Sequence, residues 1–195
     1  IEPLSGSLGF IRLPAPGFGI YHNHRLVVPY QYQVNSAPDS YTLRDRKDEI
    51  LLSNGLQPQK FKDLDGKFRI NAGTADFVVG LHSFSEDKVV VFNRNSIHII
   101  QGTNSLATAS RSLITEEVGC VARNSIVQVG NNIMFLSDNG VYGVSFQDLY
   151  NLRGNDVPLS ESIDGTIQQI NKDYWSKSVA VYFDNKYYLA VPVGE

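Results

Sequence analysis

The chain has 195 residues, of which 42% are hydrophobic and 19% are charged, and its formal net charge is −3. This composition is ordinary for a folded globular protein, and no apolar run reaches the roughly 18 residues that a membrane-spanning helix needs. With 17 basic against 20 acidic residues, the chain has no basic field for tight phosphate binding, which disfavours an adhesive nucleic-acid-binding protein.

Both ends of the sequence, and its single cysteine, bear on its organisation. The chain starts at Ile1 with no initiator Met and no signal or transit peptide pattern, and it stops directly after the apolar run "YYLAVPV". We therefore expect it to be part of a longer polypeptide. Cys120 is the single cysteine of the sequence, so an internal disulfide and a cysteine-rich zinc site are excluded. Its apolar neighbours predict that the thiol is buried.

Residues 18–57 predict the first of a series of small antiparallel sheets. The runs "GFGIY" and "RLVVPY" are separated by "HNH", and "DEILLSN" follows after a longer polar stretch. Short β-branched and aromatic runs with few polar residues between them are typical of strands joined by tight hairpins. The Pro, Ser and charged residues of 31–47 predict a surface loop, and the mixed charges of 44–49 predict a solvated loop or strand edge.

The same pattern recurs three times further along the chain. In 74–103, "FVVGLHSF", "VVVF" and "SIHII" are separated by "SEDK" and "NRN", which predicts three strands. In 123–148, "SIVQVG", "IMFLS" and "VYGVSF" are separated by turn residues, with a hairpin turn at Asn139–Gly140. A last copy in 176–195, "SVAVYF", "DNK" and "YYLAVPV", lacks a third strand.

The spacing of these copies predicts the fold class. Their middle strands begin at Leu26, Val89, Ile133 and Tyr187, which lie 63, 44 and 54 residues apart. Periods of roughly 40–50 residues with three or four antiparallel strands are typical of β-propeller blades, which cover one another's faces by radial packing. We predict an all-β, β-propeller-like series of three- to four-stranded antiparallel meander blades with one short helix, a fragment of a larger propeller. The blades are 18–57, 74–103, 123–148 and, incomplete, 176–195, all within one domain spanning 1–195.

The short helix is predicted over 162–171. Apolar residues recur there at spacings of four, three and four, which is the period of an amphipathic helix. These residues are Ile163, Ile167, Ile170 and Tyr174. Ser162 with Asp164 forms a plausible N-terminal cap, although Gly165 weakens the helix.

Of the four histidines, His22 and His24 are the candidate metal ligands. His22 and His24 have the i, i+2 spacing that places two side chains on one face of a strand. No third ligand is evident nearby, so we interpret both as turn residues beside a hairpin. His82 and His98 lie inside strand runs, and we expect them to be packed or at the rim of a sheet.

Acidic residues give no clear catalytic pattern. Asp76, Glu116 and Glu117 could pair as the acid and base of a glycosidase, but sequence offers no way to place two of them across a substrate. The stretch 62–68 superficially resembles a calcium loop, yet its acidic spacing fails the EF-hand pattern, and a turn at Asp65–Gly66 is predicted instead. No nucleophile elbow, phosphate-binding glycine loop or metalloprotease helix is present. We predict that the protein is not an enzyme and has no catalytic residues, cofactor or metal.

Two phrases, "EDKVVVFNRNSIHIIQG" and "VGCVARNSIVQVGNNIMFLSDNGVYGV", carry a resemblance to a known family. They resemble the β-propeller region of tail tube, nozzle and hub proteins from short-tailed bacteriophages. Upstream, "YHNHRLVVP" and "DEILLSNGLQPQKF" resemble the preceding blade, and the likeness covers most of residues 18–192. The chain is shorter than the full-length proteins of that family.

The resemblance implies a structural virion protein of the phage tail. Such a protein assembles as a homo-oligomeric ring, commonly a hexamer, below the portal and adaptor, and its partners include the adaptor and fibres. Double-stranded DNA passes through the ring during ejection without specific binding. The implied location is the virion, with no membrane-spanning segment.

Other classes of protein stay open. One is a different noncatalytic propeller, acting as a scaffold or a ligand-binding module. Another is a carbohydrate-active propeller enzyme, and a third is a β-sandwich that is not a propeller. An enzyme needs convergent carboxylates in a central pocket and a lectin needs exposed aromatics there, whereas a ring subunit needs large lateral surfaces that pair around a rotation axis.

Overall fold

A computed structural model describes residues 10–11, 17–37, 40–62, 65–146, 152–154 and 157–194. The fold is all-β, with several small antiparallel sheets and one short helix. The chain divides into two compact units, one from Ile1–Val91 with Ile99–Ser112 and one from Phe92–His98 with Leu113–Glu195. The predicted all-β class and small antiparallel sheets are therefore confirmed.

The first unit contains a six-stranded antiparallel sheet. Its strands are β1 (Phe10–Ile11), β2 (Ile20–His22), β3 (Arg25–Ala37), β4 (Ser40–Asn54), β5 (Gln57–Lys62) and β6 (Lys67–Arg69). They follow the order β1-β5-β4-β3-β2, and β6 also pairs with β4. Tight turns at 23–24 and 55–56 join β2 to β3 and β4 to β5.

The predicted surface loop over 31–47 is wrong for 31–37 and 40–47, which form paired parts of β3 and β4, while 38–39 lie outside the described residues. Val34 pairs with Thr42 and Ala37 with Ser40. The charged residues 44–49 also lie within β4. Aromatic and β-branched residues alternate with polar ones in "YQYQV", and this period of two outweighs the local polarity that suggested a loop.

The β3–β4 pair buries both of its faces where it joins the rest of the first unit. On one face, Val27 and Leu52 pair with each other and join the main apolar cluster of this unit. On the other, Val28, Leu51 and Phe61 form a second cluster. Each such side chain contributes about 1.5–3 kcal/mol when it is fully buried, so this end of the hairpin is firmly held.

A second sheet is a four-stranded meander. Its strands are β7 (Val78–Phe84), β8 (Lys88–Asn93), β9 (Ile97–Gln101) and β10 (Ser110–Thr115), in the order β10-β9-β8-β7. The three strands predicted in 74–103 are confirmed. The fourth, β10, was missed because "SRSLIT" is polar and largely exposed, which gives it no alternating apolar signal.

The second unit contains a four-stranded sheet and a separate hairpin. The sheet consists of β11 (Val127–Val129), β12 (Asn132–Ser137), β13 (Gly140–Phe146) and β14 (Leu152–Gly154), in that order. The hairpin pairs β15 (Val179–Phe183) with β16 (Lys186–Ala190). These strands confirm those predicted in 123–148 and 176–195 and add β14. The predicted turn at Asn139–Gly140 is displaced by one residue, since β13 already begins at Gly140.

The predicted helix over 162–171 is wrong in length. Only α1 (Asp164–Ile167) is α-helical, and it follows a 3₁₀ turn at Glu161–Ile163. Its N-cap residue is Ile163, and no side chain caps it. Glycine inside a four-residue helix is unfavourable, and half of the expected apolar stripe stays exposed, so no tertiary burial extends the helix.

Candidate functional site

The β15–β16 hairpin is a regular element of the second unit that leaves an apolar face exposed. Asp184 and Asn185 form its two-residue turn with φ of 48° and 58°, and left-handed backbone at both positions is what a type I′ hairpin turn requires. Asp and Asn tolerate this conformation better than most residues. The turn sets the register, in which Val181 pairs with Tyr188 and Phe183 with Lys186.

One face of the hairpin, which we call the outer face, is apolar and open. Because side chains alternate along a strand, every second residue of β15 lies on the same side, together with its partners on β16. The outer face consists of the apolar residues Val179, Val181, Phe183, Tyr188 and Ala190, with Lys186 at the turn end. Val181 is 57% exposed and Phe183 is 70% exposed, although isolated soluble domains normally bury large side chains in regular strands.

The opposite face of the hairpin packs on the core of the second unit. Tyr187 and Leu189 lie against a cluster that includes Leu136 and Val141 of the β12–β13 pair. The Tyr187 hydroxyl donates a hydrogen bond to the Ser125 carbonyl at 2.8 Å, and burial raises the pKa of this phenol. The hairpin is thus anchored on one side and uncovered on the other.

Arg94 strengthens the support beneath the hairpin. Its guanidinium makes two hydrogen bonds to the Asp138 carboxylate, at 2.9 and 2.5 Å, and lies 5.0 Å from the centre of the Trp175 ring. A bidentate pair of this kind fixes geometry better than a single ion pair. Arg94 therefore links two hairpin turns to the segment that leads into β15.

Three of the four histidines are placed by packing. His22 is buried, with Nδ1 2.7 Å from the Ser83 hydroxyl and Nε2 2.7 Å from the Thr103 hydroxyl, so both ring nitrogens already have partners. His98 is buried in β9 and His82 is half-buried in β7, which confirms the expectation for strand histidines. His24 lies exposed in the turn after β2 with φ of 60°. The interpretation of both His22 and His24 as turn residues holds for His24 alone.

The acidic residues singled out in the sequence do not form one site in either unit. Asp76 is buried in the first unit, where its carboxylate accepts a hydrogen bond from the Phe77 amide. Glu116 and Glu117 are exposed in the second unit. Asp65 and Gly66 lie in a turn before β6, as predicted. Among the residues that the structure describes, no three His, Cys, Asp or Glu side chains form a group suited to a metal ion.

The first unit contains a buried polar cluster that sequence reasoning missed, which consists of His22, Arg25, Ser53 and Thr103. Arg25 donates to the carbonyls of Thr103, Ser53 and Asn104 at 2.9, 2.8 and 3.1 Å. Burial lowers the pKa of Arg25, and burial is also the main cause that lowers the pKa of His22. The Asp87 carboxylate opposes that shift of His22, while the charge of Arg25 adds to it.

An open, mostly polar pocket of about 420 Å³ adjoins this cluster. It is lined by Arg25, by the turn between β4 and β5, by Asp65 and by the loop that follows β9. Neither His22 nor Ser83 lines this pocket, and their hydrogen bond joins β2 to β7. Only the sequence motif "YHNHR" pointed toward this region, and it drew attention to the histidines rather than to the arginine.

Cys120 is fully buried, as predicted. Burial raises the pKa of its thiol to about 12, which keeps it protonated and unreactive at neutral pH. Within the described ranges, no helix is long and apolar enough to cross a bilayer.

No protein-family model matches the chain, and a sequence search of curated proteins gives no match.

Proposed function

We propose that the chain is a structural building block of a short-tailed bacteriophage tail, a subunit of the nozzle- or hub-like ring that forms or surrounds the DNA-ejection channel. The observation that carries this proposal is the outer face of the β15–β16 hairpin. Five apolar side chains on one regular sheet face are exposed, and exposed apolar patches of this kind mark surfaces that another element covers in an assembly.

The arrangement of small sheets supports a propeller-like architecture. In the second unit, Leu136 and Val141 of the β12–β13 pair contribute to the cluster that covers the inner face of the next hairpin along the chain. A further sheet packed in the same manner would cover the outer face, which is how consecutive propeller blades shield one another. In this proposal the sheets are blades of a larger propeller.

The proposed role needs lateral contacts and no chemistry. Subunits pair around a rotation axis as a homo-oligomeric ring, hexameric as in the family that the sequence resembles, with adaptor and fibre proteins as neighbours in the virion. The net charge of −3 suits a channel through which DNA passes, because a strongly basic lining would hold the phosphates. The protein makes or breaks no bond in this role.

Electron microscopy of the complete protein at high concentration tests the proposal. We expect ring-shaped oligomers in which the outer face is covered by a neighbouring sheet. A monodisperse monomer that retains an exposed outer face contradicts it, and so does hydrolysis of an oligosaccharide by the purified protein.

A noncatalytic propeller that binds a small ligand is the second candidate, favoured by the polar pocket beside Arg25. Ligand binding without ring formation would support this candidate over the tail subunit.

A further inference from the structure

Arg25 is a buried cation whose described partners are all neutral. It is only 9% exposed, and three of its N–H groups donate to the backbone carbonyls of Ser53, Thr103 and Asn104. Among the described residues, no carboxylate forms an ion pair with it. Carbonyl groups satisfy hydrogen bonds but do not cancel the positive charge, and buried charges in proteins are normally paired with an opposite charge.

The guanidinium retains donors for a further group. It carries five N–H bonds, of which three are used by these carbonyls, so one on Nη1 and one on Nη2 remain. The three carbonyls also fix the plane of the guanidinium. A planar guanidinium with fixed donors binds a carboxylate or phosphate with more defined geometry than the flexible side chain of a lysine does.

The turn between β4 and β5 keeps the guanidinium accessible. Asn54 pairs with Gln57, and Gly55 and Leu56 form the turn. Left-handed backbone is found at Leu56, with φ of 61°, and not at Gly55. The backbone therefore does not require glycine at position 55. The strained position is occupied by Leu56, whose side chain is 81% exposed.

What Gly55 provides is space next to Arg25. A Cβ atom at this position would lie 3.6 Å from Cζ and Nη2 of Arg25 and 3.8 Å from Nη1, which is ordinary contact distance. Any larger side chain would extend over the guanidinium or into the pocket. The missing side chain leaves Arg25 as part of the pocket wall.

We propose that this pocket binds a small ligand through an oxyanion, a carboxylate or a phosphate group, that pairs with Arg25. Asn54, Gln57 and Asp65 also line the pocket and can bind hydroxyl groups of the same ligand. A hydroxylated acid or a phosphorylated polyol fits this lining better than a bare anion, because hydroxyl donors complement the Asp65 carboxylate. The site is independent of whether the protein forms a ring.

Thermal unfolding of the 195-residue chain in different anions tests the site. Sodium phosphate and sodium gluconate are each compared with sodium chloride at equal ionic strength. At ten times the dissociation constant, we expect either anion to raise the unfolding midpoint by roughly 3–5 °C above chloride. A rise with gluconate alone assigns a carboxylate and a rise with phosphate alone assigns a phosphate, and each supports the site.

Two matched glycine variants separate specific binding from a general salt effect. Gly55→Val fills the space beside Arg25, and we expect it to lose more than half of the anion-dependent shift. Gly17→Val, in the same unit but with nothing within 4 Å of its Cβ position, should keep the full shift. If Gly55→Val fails to fold, Gly55→Ala takes its place, with a smaller expected loss. Equal shifts in all variants, or no shift with either anion, overturn the proposal.

Discussion

Val181 lies directly opposite Tyr188 across the β15–β16 hairpin, and the two side chains are 57% and 47% exposed. Cross-strand pairs of a β-branched and an aromatic residue stabilise a sheet by roughly 0.2–1 kcal/mol. Even so, a polar pair would be the ordinary choice for a solvent-facing sheet. The apolar pair therefore supports the proposal that a neighbouring sheet covers this face.

We expect Val181→Lys to reduce self-association of the isolated chain without lowering its stability by more than about 0.5 kcal/mol, because the side chain is exposed. Light scattering after size-exclusion chromatography measures self-association, and urea unfolding measures stability. Ala180→Lys is the matched control, because Ala180 lies on the inner face of the same strand. This substitution should lower the free energy of unfolding. Unchanged self-association in Val181→Lys would argue against the outer face as a contact surface.

The core beneath the hairpin should be sensitive to lost volume. Leu136 is 1% exposed and belongs to the cluster on which β16 packs, so Leu136→Ala should lower the free energy of unfolding by about 2–5 kcal/mol. Leu113→Ala in β10 is the control, because Leu113 is 50% exposed and should change stability by less than about 1 kcal/mol.

Trp175 makes this comparison specific to the second unit. It is the single tryptophan of the chain and packs against the same cluster as Leu136. Urea unfolding followed by tryptophan fluorescence therefore reports on that unit. Equal midpoints for Leu136→Ala and Leu113→Ala would contradict the assignment of this core.

Alternating apolar residues predicted most of the strands, but not every one. The runs in 74–103 and 123–148 predicted β7–β9 and β11–β13 because each strand has a strong apolar pattern and tight turns on both sides. The β3–β4 extension was missed because polar residues dominate its composition, although its pairs are local, from Gln31 with Asp45 to Ala37 with Ser40. The alternation in "YQYQV" was the signal that could have shown the strand.

The region around Arg25 was not predictable because its partners are distant in sequence. Its three carbonyl partners lie 28 to 79 residues away in sequence, and no motif encodes backbone carbonyls.

The helix over 162–171 was predicted to be longer than it is. Its apolar period was correct, but Ile163 is 53% exposed and Tyr174 is 48% exposed, so the tertiary contacts that would stabilise a longer helix are missing.

Two glycines of the second unit should respond to alanine in opposite directions. At Gly119, a Cβ would lie 2.2 Å from the carbonyl oxygen of Arg94, and the Cys120 amide donates to the Asn93 carbonyl at 2.8 Å, so neither backbone can move freely. Gly119→Ala should cost about 2 kcal/mol or more. Gly165 in α1 has nothing within 4 Å of its Cβ position, so Gly165→Ala should stabilise by roughly 0.5–1 kcal/mol. Urea unfolding by tryptophan fluorescence compares the two, and a neutral Gly119→Ala would contradict the close approach of the two segments.

His22 should make the stability of the first unit depend on pH. Burial lowers its pKa below the ordinary value of 6.5, so between the folded-state pKa and 6.5 the unfolded chain binds more protons than the folded one. Titration of His22 therefore leaves the unfolding free energy unchanged above pH 6.5 and lowers it as the pH falls below that value. One proton changes this free energy by at most about 1.4 kcal/mol per pH unit. We expect His22→Gln to flatten the decrease in unfolding free energy between pH 7.5 and 5.5, measured by urea unfolding with circular dichroism. His24→Gln, which changes the exposed turn histidine two residues later, should keep the wild-type slope, and equal slopes in both variants would show that His22 does not stay neutral in the folded protein.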